Sequence, residues 1–488
     1  MRRPDLLGRL VSVVTAVVAA LVLAGTAAAA ERYVVVYKQV KKTSASEMAT
    51  DAARAGGTLV AAYTEIGVAV ARSESPGFAK ALDALRTVEG VAAVGALGSA
   101  AGRPLAGGPP PRLPNEPAAD EDTFSPLQWW SQRVRAPEAH RLTGGSPEVT
   151  VGVIDSGVDA AHPDFEGAID ASRSVSCASG APNPEPASWA DDSGHGSNIA
   201  GVIGARANGV GIVGIAPKVR LAIVKASVPR NGVDVFLADA VVCSLVWAAN
   251  NGVDVANNSY STDSAYSDGT TSFCRDDPAQ RTIVEAVRRA AAYAQGNGVT
   301  LVASAGNAGL DLGAPEQQKC IRLPSQLPGV VTVSSIGLDG RLAAGPPSNY
   351  GLGVVDVAAA GGDFLQGAPP SGLVLGPWPS IFSSAPRILC DPCEGPGAAY
   401  YAFWAGTSQA AAQASGVAAL VVSRFGKNHP HGLWKMVPKR VAEHLRRTAD
   451  PLPCPTGDAR CVAAGNETSF FGHGVVNALR AVTNDRNG

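Results

Sequence analysis

Val151-Gly-Val-Ile-Asp155-Ser-Gly157 is a strand-like run that ends on a carboxylate and a glycine turn. Two further blocks follow it along the chain, Gly194-His195-Gly196 and Gly406-Thr407-Ser408. An Asp at a strand end, a His between glycines and a Ser that opens an alanine-rich helix are the components of an activated serine nucleophile. Hydrolases of unrelated folds carry these three residues in different chain orders, so the order Asp, His, Ser is itself evidence about the fold.

The polar residues of these blocks suit complementary roles. Asp155 closes a strand at the sheet edge where ligand sites of open α/β folds gather, and it could orient a histidine ring. His195 carries the side chain whose unperturbed pKa lies nearest neutral pH, which suits a general base that must return its proton. Ser408 would have the free N–H groups of a helix N-terminus beside it. Simpler interpretations stay open, since Asp155 also suits a turn, and Thr407 or Ser408 a helix N-cap.

A fourth block, Val302-Ala-Ser-Ala-Gly306-Asn307-Ala-Gly309, lies between the His and Ser blocks. It places Asn307 in a glycine turn directly after an apolar strand. Asn is common in such turns for conformational reasons alone. Its place in the chain nevertheless favours a role as donor to the oxyanion of a tetrahedral intermediate.

Short apolar segments alternate with helical patterns from Ser125 onward. The predicted strands are 149–154, 219–224, 253–256, 299–303, 330–335 and 354–357, and the clearest predicted helices are 235–250 and 280–295. Strands that are apolar throughout indicate a parallel sheet covered on both faces. We therefore predict one doubly wound α/β domain over residues 123–488, with a mostly parallel sheet and helices on both faces.

Residues 31–100 predict a separate, small α+β unit. Predicted strands at 33–37, 58–63, 68–72 and 91–97, with helices at 46–55 and 78–86, follow the ferredoxin-like order β-α-β-β-α-β. Residues 101–122 are rich in proline, glycine and acidic residues and lack apolar periodicity. That composition predicts an exposed linker that is easily cut.

Residues 1–30 predict export. Three arginines precede an apolar run from Leu10 to Ala24, and small residues follow to Ala30, which is the layout of a secretory signal peptide. A retained membrane anchor is the alternative. Because no other stretch reaches the ~18 apolar residues that span a bilayer, we expect a secreted chain that is free of the membrane once the signal is removed.

All eight cysteines lie beyond this segment, and an even number in an exported chain favours disulfides over thiols. Cys454 with Cys461 is the pairing that we predict. A metal site at Cys390 and Cys393 would need a second ligand pair, and none is evident in the sequence. The net charge of −2 and the absence of a dense basic run after the first residues do not indicate a nucleic-acid partner.

Taken together, the four blocks resemble those of the subtilisin-like serine proteases, the subtilases, and the resemblance spans about residues 125–482. It implies that Asp155 orients the histidine, that His195 is general base and acid, and that Ser408 is the nucleophile. It also implies that Asn307 and the Ser408 backbone N–H bind the oxyanion. No cofactor is needed for this chemistry.

The resemblance also implies a role for the N-terminal unit. It is similar to the inhibitory propeptide of the family, which assists folding, caps the active site and is removed by self-cleavage. The cut is expected between about residues 98 and 123. These expectations describe a secreted, monomeric endopeptidase that acts on polypeptides. The alternative is a subtilase-like binding protein without activity, although the intact blocks argue against it.

Flanking residues depart from the family pattern. The family usually has Gly-Thr-His-Val-Ala-Gly after its histidine, where this chain has Gly196-Ser-Asn-Ile-Ala-Gly201. It usually has Met-Ala-Ala-Pro-His after its serine, where this chain has Gln409-Ala-Ala-Ala-Gln413. None of these positions makes or breaks a bond, so the differences bear on local packing and turnover rate.

Two segments should border the substrate by the same resemblance. Ser259, Tyr260 and Ser261 match the family strand that pairs with substrate backbone, and Ser304, Ala305 and Gly306 should form the opposite wall. Ser261 stands where the family usually has glycine beside the main specificity pocket. A bulkier wall predicts a narrower pocket or an altered preference.

Two further expectations concern loops. Asp164 and Asn208 match places where many subtilases bind calcium, and their oxygens would suit a structural calcium ion; an ordinary loop without metal explains them equally well. The Pro/Gly-rich span 361–397 predicts a surface elaboration near the substrate cleft. Deletion of residues 367–395 should then change cleavage preference more than stability.

Overall fold

The structure, a computed structural model, describes residues 30–94, 122–230, 233–262, 272–366, 372–382, 389–395, 397–428 and 434–484. The predicted signal peptide up to residue 29, the end of the strand predicted at 91–97 and the predicted linker up to residue 121 lie outside the described residues.

The N-terminal unit has the predicted β-α-β-β-α-β order. Its elements are β1 (Glu31–Tyr37), α1 (Ala45–Arg54), β2 (Gly57–Tyr63), β3 (Val68–Ser73), α2 (Phe78–Asp83) and β4 (Val88–Ala93). The strands form an antiparallel sheet in the order β2-β3-β1-β4. Tyr33, Val35 and Tyr37 point into a core covered by the two helices. Helix α1 begins at a capping box in which the side chains of Ser44 and Glu47 each accept the other's backbone N–H.

The second unit is built around a seven-stranded sheet. Its elements up to residue 296 are, in chain order, α3 (Trp129–Arg133), α4 (Ala136–His140), β5 (Thr150–Asp155), β6 (Val175–Ser176), α5 (His195–Gly204), β7 (Arg220–Lys225), β8 (Ser227–Arg230), β9 (Val233–Phe236), α6 (Ala238–Asn250), β10 (Val255–Asn258), β11 (Phe273–Cys274) and α7 (Pro278–Gly296). There follow β12 (Thr300–Ser304), α8 (Pro315–Lys319), β13 (Cys320–Ile321), β14 (Val331–Ser335), β15 (Val357–Ala359), β16 (Val374–Trp378), β17 (Leu389–Cys390), β18 (Tyr400–Trp404), α9 (Thr407–Phe425), β19 (Lys427–Asn428), β20 (Trp434–Lys435), α10 (Pro438–Thr448), β21 (Ala463–Ala464), β22 (Glu467–Thr468) and α11 (Ala478–Thr483).

The sheet has the strand order β15-β14-β12-β10-β5-β7-β6, and every neighbouring pair in it is parallel. The predicted α/β class and parallel sheet are confirmed. All six strands predicted from the sequence of this unit lie in the sheet, each within three residues of its predicted bounds.

Apolar side chains leave both faces of this sheet. Val151 and Val153 of β5 belong to a core cluster with α5 and α9, whereas Ile154 belongs to a second cluster with α6 and α7. Successive residues of a strand point to opposite faces, so a strand covered on both sides is apolar throughout. The carboxyl ends of β5, β10 and β12 meet at one edge, and the candidate functional residues lie there.

The helix predicted at 235–250 begins later, at Ala238. Residues 233–236 instead form β9, which pairs antiparallel with β8. Val233 and Val235 are β-branched and alternate with Asp234 and Phe236 at the two-residue spacing of a strand. This local pattern outweighs the apolar helical pattern that continues from Ala238.

The span 361–397 is more than the predicted surface elaboration, because it contains a buried strand. Strand β16 pairs antiparallel with β18 and packs against α5, the helix that starts at His195. Trp378 at its end is only 3% exposed. A deletion that removed β16 would open the core beside His195, so it would reduce stability before it changed substrate preference.

The cysteines form four disulfides: Cys177–Cys243, Cys274–Cys320, Cys390–Cys393 and Cys454–Cys461. The predicted pairing of Cys454 with Cys461 is confirmed. Cys390 and Cys393 are bonded to each other and are therefore not metal ligands. The described residues contain no cluster of His, Cys, Asp or Glu suited to a metal. None of the helices in the described ranges is both long and apolar enough to cross a bilayer.

The N-terminal unit packs on α6 and α7 through the sheet face that its own helices leave open. Apolar residues of that face, such as Val34, join the cluster of these two helices. Nη1 of Arg32 lies 3.0 Å from Oδ2 of Asp239, which is fully buried in α6. Nη1 of Arg289 in α7 donates to the carbonyl of Tyr37 at 2.7 Å. The interface thus combines apolar burial with buried charge.

Candidate active site

Asp155 and His195 meet at the carboxyl edge of the sheet. Asp155 is the last residue of β5 and is fully buried, and His195 is the first residue of α5. Nδ1 of His195 lies 2.7 Å from Oδ1 of Asp155. Because an ionised carboxylate can only accept, Nδ1 carries the proton and Nε2 is left as the acceptor. The backbone N–H of Ser156 donates to the same Oδ1 at 2.8 Å and fixes the carboxylate.

Burial and neighbouring negative charge shift the pKa of His195 in opposite directions. Burial disfavours the imidazolium and lowers the pKa, but the carboxylate of Asp155, with Asp234 and Asp191 further away, outweighs it and raises the pKa of His195 above its ordinary value. Burial also raises the pKa of Asp234 to about 6. The surroundings therefore stabilise the charged form that a general base adopts after it takes a proton.

A further carboxylate, Asp191, ties the end of β5 to the start of α5. Its Oδ2 accepts the N–H and the hydroxyl of Ser197 at 2.9 and 2.6 Å, and its Oδ1 accepts the hydroxyl of Ser156 at 2.8 Å. The Ser156 hydroxyl in turn accepts the N–H of Gly196 at 2.8 Å. Asp191 was not among the residues predicted from the sequence. The signal was an acidic residue just ahead of a helix start, where carboxylates are favourable.

Ser408 is the second residue of α9. The turn before it needs glycine, because Gly406 has a φ of 148° and a Cβ there would lie 3.1 Å from Nδ2 of Asn307. Oγ of Ser408 donates to the carbonyl of Ser259 at 3.0 Å, and Oγ of Ser259 donates to the carbonyl of Ser408 at 2.9 Å. The Ser408 hydroxyl is thus turned toward β10 rather than bonded to His195. Gly406, not Thr407 or Ser408, is the N-cap residue of this helix.

Asn307 is anchored through its oxygen. Oδ1 accepts the backbone N–H of Thr407 at 2.9 Å and its hydroxyl at 3.0 Å. Within the described residues, Nδ2 of Asn307 donates no hydrogen bond, and the side chain is exposed. Thr407 therefore orients the amide so that its N–H donors stay free beside the start of α9.

The turn that carries Asn307 is held by a residue that the sequence analysis missed. Asn349 is fully buried; its Oδ1 accepts the N–H groups of Ala308 and Leu310 at 3.1 and 2.9 Å, and its Nδ2 donates to the carbonyl of Ala305 at 2.8 Å. Asn349 lies about 40 residues further along the chain than this turn, so local spacing in the sequence does not show the contact.

The residues predicted to contact substrate fall into two groups. Ser304 ends β12, Ala305 and Gly306 form the turn after it, and the N–H of Gly306 donates to Oγ1 of Thr407 at 3.1 Å. Together with Ser259, which bonds to Ser408, this turn borders the candidate nucleophile. These residues lie where a substrate backbone could approach Ser408.

Tyr260 and Ser261 are placed differently. Tyr260 is 5% exposed, its ring stacks on Phe236 at a centroid distance of 4.4 Å, and its hydroxyl donates to Oδ1 of Asn258. Its side chain belongs to the core behind the strand, because an aromatic side chain gains most from burial on that face. The pairing of this segment with substrate backbone stays a prediction. Ser261 follows it half-buried, at the end of a described segment.

Two tryptophans that the sequence analysis did not assign flank the histidine. The ring centroid of Trp404 is 5.2 Å from that of His195, and Trp378 lies 5.9 Å from Trp404. Both indoles are buried. They belong to β16 and β18, whose pairing across a Pro/Gly-rich span could not be read from the sequence. By excluding water they strengthen the electrostatic interaction between His195 and Asp155.

The predicted calcium ligands are engaged by protein groups. Asp164 is fully buried and its Oδ1 accepts the hydroxyl of Tyr401 at 2.7 Å. Oδ1 of Asn208 accepts the N–H of Val210 at 3.0 Å, and its Nδ2 donates to the carbonyl of Pro163 at 3.1 Å. Burial raises the pKa of Asp164 well above its ordinary value. Protein groups thus satisfy both side chains, and calcium binding by Asp164 and Asn208 stays a prediction.

We expect a chelator to change the melting temperature by less than about 1 °C, because hydrogen bonds of Asp164 and Asn208 to protein groups already hold this loop in the folded state. Tyr401→Phe should instead lower the free energy of unfolding by about 1–3 kcal/mol, since it leaves a buried acceptor on Asp164 without its donor. Thermal melts with EDTA and with added calcium chloride measure both. A wild-type melting temperature that rises with calcium and falls with EDTA would contradict this view of the loop.

Comparison with known proteins adds to this geometry. Residues 146–474 match the model of the subtilase family. Subtilisin Savinase from Lederbergia lenta is 28% identical over 357 residues, which cover 73% of this chain and 98% of that protein. M-protease from Shouchella clausii (strain KSM-K16) is also 28% identical, over 73% of this chain and 70% of its own length. The structure of the epidermin leader peptide processing serine protease from Staphylococcus aureus has the same fold, with a TM-score of 0.67 at 20% identity over 94% of this chain and 100% of that chain.

Proposed function

This chain belongs to the subtilase family and is a serine-type endopeptidase, and from this premise we propose that it is secreted, acts on polypeptides through an acyl-enzyme on Ser408, and is made as a self-processed zymogen. The observation that carries the assignment of residues is the 2.7 Å contact between His195 and Asp155 at the sheet edge that also holds Ser408. A polypeptide substrate, a monomeric state and independence of any cofactor belong to the same proposal.

Hydrolysis would begin when Oγ of Ser408 attacks the substrate carbonyl carbon while its proton passes to Nε2 of His195. Nε2 is the acceptor because Nδ1 is committed to Asp155. The Ser408 hydroxyl must first give up its hydrogen bond to the carbonyl of Ser259. Catalytic hydrogen bonds in a free enzyme often form only when substrate is bound.

The charge on the carbonyl oxygen would be taken up by two donors, Nδ2 of Asn307 and the backbone N–H of Ser408. The anchoring of Asn307 by Thr407 supports this role, since the amide is oriented before substrate arrives. His195 then gives its proton to the leaving amine as the C–N bond breaks. Water repeats the sequence on the acyl group, releasing the acid and restoring the Ser408 hydroxyl.

The N-terminal unit would serve as the inhibitor of its own catalytic domain. Its docking on α6 and α7, with Arg32 against the buried Asp239, supports a stable association that outlasts a cut in the chain after it. The signal-like N-terminus and the disulfides support secretion. A cut between about residues 98 and 123 would separate the two units.

A fluorophosphonate probe tests the proposal directly, because it phosphonylates a serine hydroxyl that is activated by a base, with loss of fluoride. We expect the mature wild-type protein to be labelled at Ser408, as identified by peptide mass spectrometry, and a Ser408→Ala variant to stay unlabelled. A folded, mature wild-type protein that takes up no probe would instead favour an inactive, substrate-binding relative.

A further inference from the structure

A bridge between two buried amide side chains joins the helix of His195 to the helix of Ser408. Nε2 of Gln409 donates to Oδ1 of Asn198 at 3.1 Å, and the two residues are 1% and 0% exposed. Asn198 lies one turn after His195 on α5, and Gln409 directly follows Ser408 on α9. The bridge therefore links the two helices that carry His195 and Ser408, the residues between which the proton must pass. These are also two of the positions where the chain departs from the family pattern.

Asn198 also contacts the strand that leads into the nucleophile. Its Nδ2 donates to the carbonyl of Ala402 in β18 at 3.4 Å. Gly376 in β16 packs so closely on it that a Cβ there would lie 2.4 Å from Nδ2. The amide has no room to turn away. Helix α5, helix α9 and strand β18 thus meet on one fixed side chain.

Gln409 differs from the other buried glutamine of its helix. Both ends of the Gln413 amide bind the backbone of Ala360, with its Oε1 accepting at 3.1 Å and its Nε2 donating at 2.7 Å. Oε1 of Gln409, in contrast, is buried without a hydrogen-bond partner among the described residues. A buried unsatisfied acceptor is costly. Within the described residues, the one side-chain hydrogen bond of Gln409 is the bond to Asn198, so this side chain holds the bridge and does not otherwise attach the helix.

We infer that Asn198 and Gln409 are positioning residues whose bridge fixes the separation between the Ser408 hydroxyl and the His195 ring. The inference rests on the proposed function, since it assumes proton transfer between these two groups. Misplacement by about 1 Å can cost about 10²-fold in rate. The Ser408 hydroxyl must rotate from the carbonyl of Ser259 to reach His195, and the bridge determines whether the ring is then within reach.

The test is a double-variant cycle on the mature protein produced from the full chain. Gln409→Met keeps the side-chain volume and removes the donor, and Asn198→Ala removes the acceptor. Each should lower kcat about 10- to 100-fold with KM changed less than about threefold. The kcat of the double variant should be no lower than that of the less active single variant, because the two residues act as one unit. If Gln409→Met does not accumulate, Asn198→Ala tests the same bond from the other side.

Gln413→Met is the matched control. It makes the same substitution one turn further along α9, where the amide binds only the backbone of Ala360, and it should lower the melting temperature while kcat stays within about threefold. The rate of fluorophosphonate labelling at Ser408 is measured alongside kcat, since it reports activation of the hydroxyl without a peptide substrate. If the wild type and both single variants are labelled at the same rate, the inference about the bridge is wrong but the proposed function stands. The same holds if the losses in kcat of the two single variants multiply in the double variant. An unreactive wild type would overturn the proposed function as well.

Discussion

Ser408→Ala should abolish peptide hydrolysis, with a loss of about 10⁶-fold in kcat, the size found for the equivalent change in subtilisin, a relative of this chain. It should also leave the N-terminal unit attached in the secreted product. Both effects have one cause, because the hydroxyl that attacks substrate is proposed to attack the chain's own linker. Intact mass measurement and N-terminal sequencing of the secreted proteins, with a peptide assay, give the two readouts.

The fold should survive this change, since Oγ of Ser408 makes a single hydrogen bond to the carbonyl of Ser259. Ser423→Ala is the matched control, because Ser423 lies on the same helix α9 and bonds to the carbonyl of Ala419, far from the nucleophile. This variant should lose its N-terminal unit and hydrolyse the peptide substrate as the wild type does. Loss of the N-terminal unit from Ser408→Ala made alone, without added protease, would refute self-processing.

Asp155→Asn should lower kcat about 10⁴-fold while KM changes little. The amide presents an N–H donor or a neutral oxygen to Nδ1 of His195, so the tautomer with Nε2 as acceptor is no longer enforced and the imidazolium loses its partner. The shape of the side chain is kept. Steady-state kinetics on a peptide substrate measure the loss, and a melting curve shows that the fold persists.

The pH profile gives this variant a second signature. In the wild type, the carboxylate of Asp155 raises the pKa of His195 against the effect of burial. Without that charge burial dominates, so the pKa falls and the acid limb of kcat/KM should move to lower pH. Asp254→Asn is the matched control: Asp254 is also buried but accepts the N–H of Thr150, at the opposite end of β5. An acid limb that stays in place in Asp155→Asn, or moves equally in Asp254→Asn, would argue against this role of the carboxylate.

The parts of the fold that the sequence predicted are those with a local cause. Strands of the parallel sheet are apolar throughout because both faces are covered, and the order of elements in residues 31–94 follows from period-two and helical patterns. The β16–β18 strand pair could not be predicted in the same way. Its strands are separated by a Pro/Gly-rich span, and they pair because Trp378 and Trp404 are buried against α5, a contact that exists only in the folded chain.

The residues of the site likewise differ in whether a local sequence motif predicts them. Asp155, His195 and Asn307 stand in short motifs with a physical reason for each residue type, and the structure brings their elements to one sheet edge. Asn349, which holds the turn of Asn307, has no local signal. Tyr260 matched a family strand by position, but the sequence could not show that its ring would stack on Phe236 in the core.

Helix α5, which begins at His195, contains glycines at two close contacts, and these glycines affect when His195 can be positioned. A Cβ at Gly196 would lie 2.1 Å from the carbonyl oxygen of Gly157, and one at Gly201 would lie 2.1 Å from Cδ of Pro377. Glycine at these contacts lowers intrinsic helix stability by about 1 kcal/mol per residue relative to alanine, so the helix depends on docking against β5 and β16. His195 is therefore held against Asp155 only when these tertiary contacts are formed. A chain in which α5 has not docked lacks the oriented imidazole that a general base requires.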